Sequence, residues 1–192
     1  PYPRWVSTPL SIKPSNIYQI VQKANLRLID KDIIQVECPE IFIAGCGTGQ
    51  QSISASSRYK NSKITAIDLS IKSLAYAKRK TIELGLNNIE YNQGDILDIP
   101  KINKKFDIIE CTGVLHHLHK PMTGWKALVD LLKEGGLMLI ALYSKIARED
   151  IALIRKEIKD YGIYNDEPSM KLFRNKIINS NKPHHRRILK SQ

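Results

Sequence analysis

The stretch IFIAGCGTGQ, residues 41–50, decides how the rest of the chain is read. A short apolar run leads straight into a turn with glycines at 45, 47 and 49. Glycine takes positive φ readily and has no Cβ, so such a turn lets a ligand approach bare backbone. A dinucleotide fingerprint starting at Gly45 and Gly47 needs a third glycine at position 50, which is Gln50. A P-loop needs a lysine after its last glycine, and none follows. The spacing is GxGxG, and both phosphate-binding readings weaken.

Working outward, the residues on either side alternate between strand and helix patterns. IFIAG reads as a short buried strand, followed by a helix from Gly49 to about Tyr59. KITAID, residues 63–68, is a second strand, and Ser70 caps a longer helix whose apolar side includes Ile71, Leu74, Ala75 and Ile82 and which Gly85 ends. NIEYNQGDI supplies a third strand and FDIIECT a fourth. A helix is expected from Pro121 to about Glu134, broken by Gly135 and Gly136, then a fifth strand over LMLIALYS. Upstream, the prolines of PYPRW exclude helix, and Ser15 is the expected N-cap of a helix with Ile17, Ile20, Val21, Ala24 and Leu28 on one face. Downstream, Ile151, Ile154 and Ile158 keep helical spacing, and residues 170–178 form another helical stretch.

Strands alternating with helices give an α/β fold with a doubly wound, mostly parallel sheet. Five strands are clear, with helical N- and C-terminal extensions. The expected organisation is a single domain over 1–192: a strap and helix over 1–38, a cofactor-binding core over 39–144 and a helical segment over 145–192.

Composition narrows the partners. Hydrophobic residues are 42% and charged residues 26% of the 192, ordinary for a globular chain. No run is long enough to span a membrane, and no signal-type segment opens the chain. Three scattered cysteines suggest a reduced, cytoplasmic protein. The formal net charge of +11 invites nucleic acid, yet lysines are spread throughout and the densest basic run, HHRRILK at residues 184–190, has no interleaved aromatics. Nucleic acid is therefore a possible partner that is not favoured.

Two acids sharpen the ligand class. Asp68 ends the second strand, about 20 residues past the turn, where a carboxylate accepts both ribose hydroxyls of a nucleotide. Asp95 follows the third strand, placed to accept from an exocyclic amine, with Ile96 against the ring face. A lone Asp is usually a turn residue or a cap, but two at consecutive strand ends beside a glycine turn fit a nucleoside ligand without phosphate.

AGCGTG, AIDLS, QGDIL, FDIIECTGVLHHL and GGLMLIALYS together resemble the successive motifs of class I S-adenosylmethionine-dependent methyltransferases, over residues 41–144. More narrowly, PYPRW, SLAYAKRKTIELGL and the GVLHHL segment are similar to methyltransferase domains found beside tetratricopeptide repeats in bacterial proteins, although no such repeats occur here. The resemblance implies S-adenosylmethionine as cofactor and S-adenosylhomocysteine as product. It places Gly45, Cys46, Gly47, Asp68, Leu69, Asp95 and Ile96 on the cofactor, with Cys111, Thr112, Gly113 and Val114 under its methionine part. The family sheet usually has seven strands, against five strong signals here, so an incomplete acceptor side is expected.

Methyl transfer from a sulfonium needs mainly alignment, helped by a general base when the acceptor is protonated. His116 and His117, just past the fourth strand, are the candidates for that acceptor-facing role, with Tyr143 as a further one. No metal site is expected: His116, His117 and His119 lack i, i+4 pairing or a carboxylate, and His184 and His185 lie in a basic tail. Cys111 stands in ECTG, without the Pro-Cys of C5-methylating enzymes, and reads as a small buried residue. Tyr2, Arg4 and Trp5 suit either a lid on the cofactor or an ordinary packed strap. The expected function is methyl transfer to a small-molecule or protein acceptor; the alternatives are a cofactor-binding module without a complete acceptor site and an RNA methyltransferase.

Overall fold

The structure, a computed structural model, describes residues 10–11 and 13–190, with side chains at all of these except Pro100 and Lys101. PYPRW, with Tyr2, Arg4 and Trp5, lies outside the described residues. The chain forms two compact units, the first ending at Leu142 and the second beginning at Tyr143.

The first unit is built on five strands: β1 Glu40–Ala44, β2 Lys63–Asp68, β3 Ile89–Gln93, β4 Phe106–Thr112 and β5 Leu132–Ala141. All pairings are parallel and the order is β3-β2-β1-β4-β5. The chain thus winds outward from β1 through β2 to β3, then crosses back to β4 on the other side of β1. That reversal opens a crevice beyond the carboxyl ends of β1 and β4, where an open sheet binds its ligand.

Helices cover both faces, so the central strands are buried on both sides and read as continuous apolar runs. Alternate residues of β1 feed two cores. Ile41 and Ile43 pack with Ile64, Ala66 and Ile108 against Ile17 and Val21 of α1 (Ile17–Lys23), Ala55 of α2 (Gln50–Arg58) and Leu74 of α3 (Ile71–Glu83). Phe42 and Ala44 pack with Ile67, Ile109 and Cys111 against Leu128 of α4 (Pro121–Asp130).

Local details differ from the sequence expectation in four places. Asn16 caps α1, in a reciprocal capping box with Gln19, while Ser15 is buried and bridges to Tyr59. On α3 the buried positions are Ser73, Leu74, Ala77 and Thr81, whereas Ile71 and Ile82 face solvent. The hydroxyl of Thr81 donates back to the Ala77 carbonyl at 2.9 Å, which lets a polar residue occupy the buried stripe.

The third and fourth differences share one cause. α4 stops at Asp130, and β5 starts at Leu132, five residues before the expected LMLIALYS segment. Leu132 pairs with Phe106 but Leu137 pairs with Ile108, so Lys133, Glu134, Gly135 and Gly136 form a bulge inside β5. The two glycines mark the bulge and not a helix end. Lys133 fixes it from the flank through an ion pair to buried Asp107 at 2.9 Å. β5 then ends at Ala141, so Tyr143 lies past the strand.

The second unit contains α5 Glu149–Asp160, α6 Glu167–Ile178 and α7 Pro183–Lys190. Asp166 caps α6 by accepting from the Ser169 N–H at 2.8 Å. Arg187 of α7 grips Asp150 of α5 with two hydrogen bonds, at 2.8 and 2.6 Å. No strand follows β5 among the described residues, and no described helix is long and apolar enough to cross a membrane.

Candidate active site

At the carboxyl end of β1 the chain turns sharply. The N–H groups of Gly45 and Cys46 both donate to the Ile67 carbonyl of β2, each at 2.9 Å. Gly45 has φ +73°, and a Cβ there would meet Val114 Cγ2 at 2.5 Å. Gly49 has φ +93° and presses against Ala77 of α3, which a Cβ would strike at 2.6 Å. Only glycine serves at either position.

The turn is tied to the second strand end by Asp68. Its Oδ2 accepts the Gly47 N–H at 2.8 Å and its Oδ1 accepts the Ser70 N–H at 2.9 Å. The same carboxylate therefore shapes the glycine turn and the start of α3.

A cavity of about 690 Å³ opens over this turn. Its lining includes Gly45, Cys46, Gly47 and Asp68 from the ends of β1 and β2, and Thr112, Gly113, Val114 and His117 from the end of β4 and the turn after it. Its size is in the range of small-molecule and cofactor pockets. Eight of the expected residues thus share one cavity, drawn together from three separate strand ends.

The remaining candidates stand elsewhere. Asp95 lines a neighbouring hollow of about 440 Å³ beyond β3, and its Oδ1 accepts the Leu97 N–H at 2.9 Å, capping a 3₁₀ turn. Ile96 is buried in the core behind that hollow, and Leu69 is exposed. Cys111 is fully buried beneath β4's end, packed in the core. Both ring nitrogens of His116 are buried, and its ring lies 4.2 Å, centroid to centroid and tilted by 52°, from that of His117, which reaches the cavity. Tyr143 belongs to the second unit, where the Arg148 guanidinium lies 3.8 Å over its ring centroid.

Neither buried thiol is poised as a nucleophile. Burial, reinforced by the Asp68 charge, pushes Cys46 up to about 12. Burial alone raises Cys111 to about 11. A thiol that stays protonated in neutral water attacks slowly.

Glu110 was not singled out from the sequence. It lies in the middle of β4, buried, and still borders the cavity. Its Oε1 accepts from Arg58 at 2.5 Å and from the Tyr59 hydroxyl at 3.2 Å, and its Oε2 accepts from the Gln51 amide at 3.0 Å. Gln51 also donates to Thr112 Oγ1 at 2.9 Å. Burial and the Glu110 charge together push Tyr59 well above the usual phenol range, so it remains a donor. Arg58 is half exposed and also lines the cavity, while its Nε is buried and has no partner. A charged residue inside the apolar strand FDIIECT was the available signal, since a buried carboxylate needs partners. The sequence alone could not say which residues supply them.

This geometry agrees with comparisons to known proteins. The methyltransferase domain profile matches residues 41–136. The chain is similar to an uncharacterized protein, syc1184_c, of Synechococcus, with 36% identity over 65% of this chain and 30% of that protein. It is also similar to the ubiquinone biosynthesis O-methyltransferase of Glaesserella parasuis, with 33% identity over 60% of this chain and 50% of that enzyme. The chain thus spans half or less of the length of these two curated relatives. Among solved structures, an S-adenosylmethionine-dependent methyltransferase from Clostridium acetobutylicum superposes with TM-score 0.51 and 26% identity, over 65% of this chain and 46% of that one. The profile, the five-stranded parallel sheet and the glycine turn agree: the chain belongs to the methyltransferase domain family and has the class I S-adenosylmethionine-dependent methyltransferase fold.

Proposed function

We propose that the cavity over residues 45–47 binds S-adenosylmethionine and that the domain transfers its methyl group to a small-molecule or protein acceptor. The observation that carries this reading is the juxtaposition of Gly45, Gly47 and Asp68 with His117 around one cavity at the switch point of the sheet. The residues present fit the cofactor: a Cβ at Gly45 is excluded, bare backbone faces the cavity, and a carboxylate stands at the end of β2. The cofactor supplies an activated methyl group on a sulfonium.

In this reading Asp68 accepts the ribose hydroxyls while keeping the Gly47 N–H that shapes the turn. Arg58, held by Glu110, turns its remaining donors toward the carboxylate of the methionine part. The turn at residues 112–114 supports that part from the β4 side. His117, which lines the same cavity past the end of β4, orients the acceptor or takes its proton as the methyl bond forms. Val114 and Leu139 border the same cavity and help keep water from the reacting centre.

Formation of S-adenosylhomocysteine over a panel of phenolic, amine and peptide acceptors tests the reading. Binding of S-adenosylhomocysteine by calorimetry tests the cofactor half alone. Tight binding of NAD with no response to S-adenosylhomocysteine would sink both.

The formal charge of +11 favours RNA as the second acceptor class. Salt-sensitive RNA affinity accompanied by RNA-dependent turnover would move the reading there.

A further inference from the structure

The second unit brings Glu157 together with two histidines that lie 27 and 28 residues further along the chain. Glu157 projects from α5, and His184 and His185 are consecutive residues of α7. His184 Nε2 lies 2.9 Å from Glu157 Oε1, and His185 Nε2 lies 2.9 Å from Glu157 Oε2. One ligand-type atom from each of the three residues falls within 4.8 Å of the others. His185 is almost wholly buried, and Glu157 and His184 are mostly so. This is a converging, shielded cluster and not a row of surface side chains.

We propose that Glu157, His184 and His185 form a binding site for a divalent transition ion of the Zn²⁺ class. Two imidazole nitrogens and one carboxylate oxygen are the borderline donor set such ions select, and three protein ligands leave an open position for water. Tetrahedral zinc with bonds of about 2.0–2.1 Å holds its ligand atoms roughly 3.3 Å apart. Each histidine now contacts a different oxygen of Glu157, so ligation through one oxygen requires the three ligand atoms, now within 4.8 Å of one another, to settle to that spacing by side-chain rotation.

The surroundings support the carboxylate as a ligand. Lys182 donates to Glu157 Oε1 at 2.7 Å, the kind of outer hydrogen bond that fixes a ligating carboxylate. Two features limit the affinity. The Lys182 charge opposes the incoming cation. Ligation through Nε2 also moves the ring proton of His185 to Nδ1, a buried nitrogen without a partner. A reversible site is therefore expected, weaker than one whose outer shell is complete.

Zinc uptake by the whole chain is the test. The protein is stripped of metal and dialysed against Zn²⁺ in the presence of a weak competing chelator. Wild type should take up one equivalent, and Co²⁺ in its place should give the visible spectrum of a nitrogen- and oxygen-ligated ion. Glu157→Gln and His184→Ala should each lower affinity by more than the roughly 10–100-fold typical of losing an outer-shell partner. Cys38→Ser and His119→Ala should bind as wild type does. If either ligand variant fails to fold, imidazole nitrogen shifts of His184 and His185 on Zn²⁺ addition to wild type give the same answer. No uptake by wild type overturns the proposal. So does uptake that survives both ligand variants, disappears with Cys38→Ser, or leaves the His184 and His185 nitrogens unshifted.

Discussion

The carboxylate of Asp68 accepts the backbone N–H of Gly47 at 2.8 Å, so the residue expected to bind the cofactor ribose also holds the glycine turn in shape. Its second oxygen accepts the Ser70 N–H, so both oxygens already serve the backbone around the turn. Under the proposed function, removing the carboxylate disturbs cofactor binding and the loop together.

Asp68→Ala should accordingly weaken S-adenosylhomocysteine binding by about 1.5–3 kcal/mol, the range for hydrogen bonds to a charged group. Asp68→Asn keeps one acceptor oxygen and should lose less. Calorimetry on variants with native circular dichroism checks this. An unchanged affinity for Asp68→Ala would remove Asp68 from the site.

Arg58 offers a sharper discrimination within the same cavity. Arg58→Lys keeps a charge beside Glu110 but loses the planar fork. It should weaken S-adenosylhomocysteine roughly tenfold while leaving 5′-methylthioadenosine, which lacks the amino-acid end, unaffected. Equal losses for both ligands would make Arg58 a structural residue only.

Glu110 should matter mainly for stability. Glu110→Ala strands the Tyr59 hydroxyl and the Arg58 guanidinium around a cavity inside the sheet, while the Gln51 amide keeps its bond to Thr112. Breaking a fully buried pair costs about 3–5 kcal/mol, and half-exposed Arg58 recovers part of its hydration, so about 2–3 kcal/mol is expected from urea denaturation. A loss below about 0.5 kcal/mol would show that the network holds nothing.

His117→Ala should leave cofactor affinity within about 1 kcal/mol of wild type, because the proposed function assigns its ring to the acceptor and not to the cofactor. If His117 is the base, turnover falls by about 10²–10⁴-fold and the pH–rate profile loses its acid limb. His116→Ala should lower stability more than turnover, since its ring is packed inward. Full activity in both variants would leave alignment alone as the catalytic device.

Two pH effects of opposite sign follow from the titrating groups. Cys46 and Cys111 have folded pKa values raised above the ordinary thiol range, so their contribution to stability is complete below pH 9 and fades as pH rises toward about 12 and about 11. Glu157 is depressed to about 2, so its contribution is present above pH 4.5 and is lost as pH falls toward 2. Thermal melts of wild type, Cys111→Ser and Glu157→Gln across pH would show each window shrink by the share of the residue replaced, the Cys46 share of the alkaline window remaining in Cys111→Ser. At pH 8, alkylation should reach exposed Cys38 and spare Cys46 and Cys111.

The sequence determined the alternation of elements, the parallel sheet and the glycine turn. Those follow from local signals: apolar runs of strand length, glycines where φ must be positive, and acids at strand ends. It also narrowed the expected ligand class, because Gln50 in place of a third glycine weakens a dinucleotide reading through chemistry and spacing alone. Tertiary structure decided what depends on neighbours far along the chain. The span of β5 was set by a bulge that pairs Leu137 with Ile108, so Gly135 and Gly136 sit in a strand although each reads locally as a helix stop. The burial of Glu110 is tolerable only because Gln51, Arg58 and Tyr59 of the neighbouring α2 region reach it across more than 50 residues of sequence. The meeting of Glu157 with His184 and His185 arises because α7 packs beside α5. Periodicity places a side chain on a face of its own element. Which partner that face meets is fixed only when the elements pack.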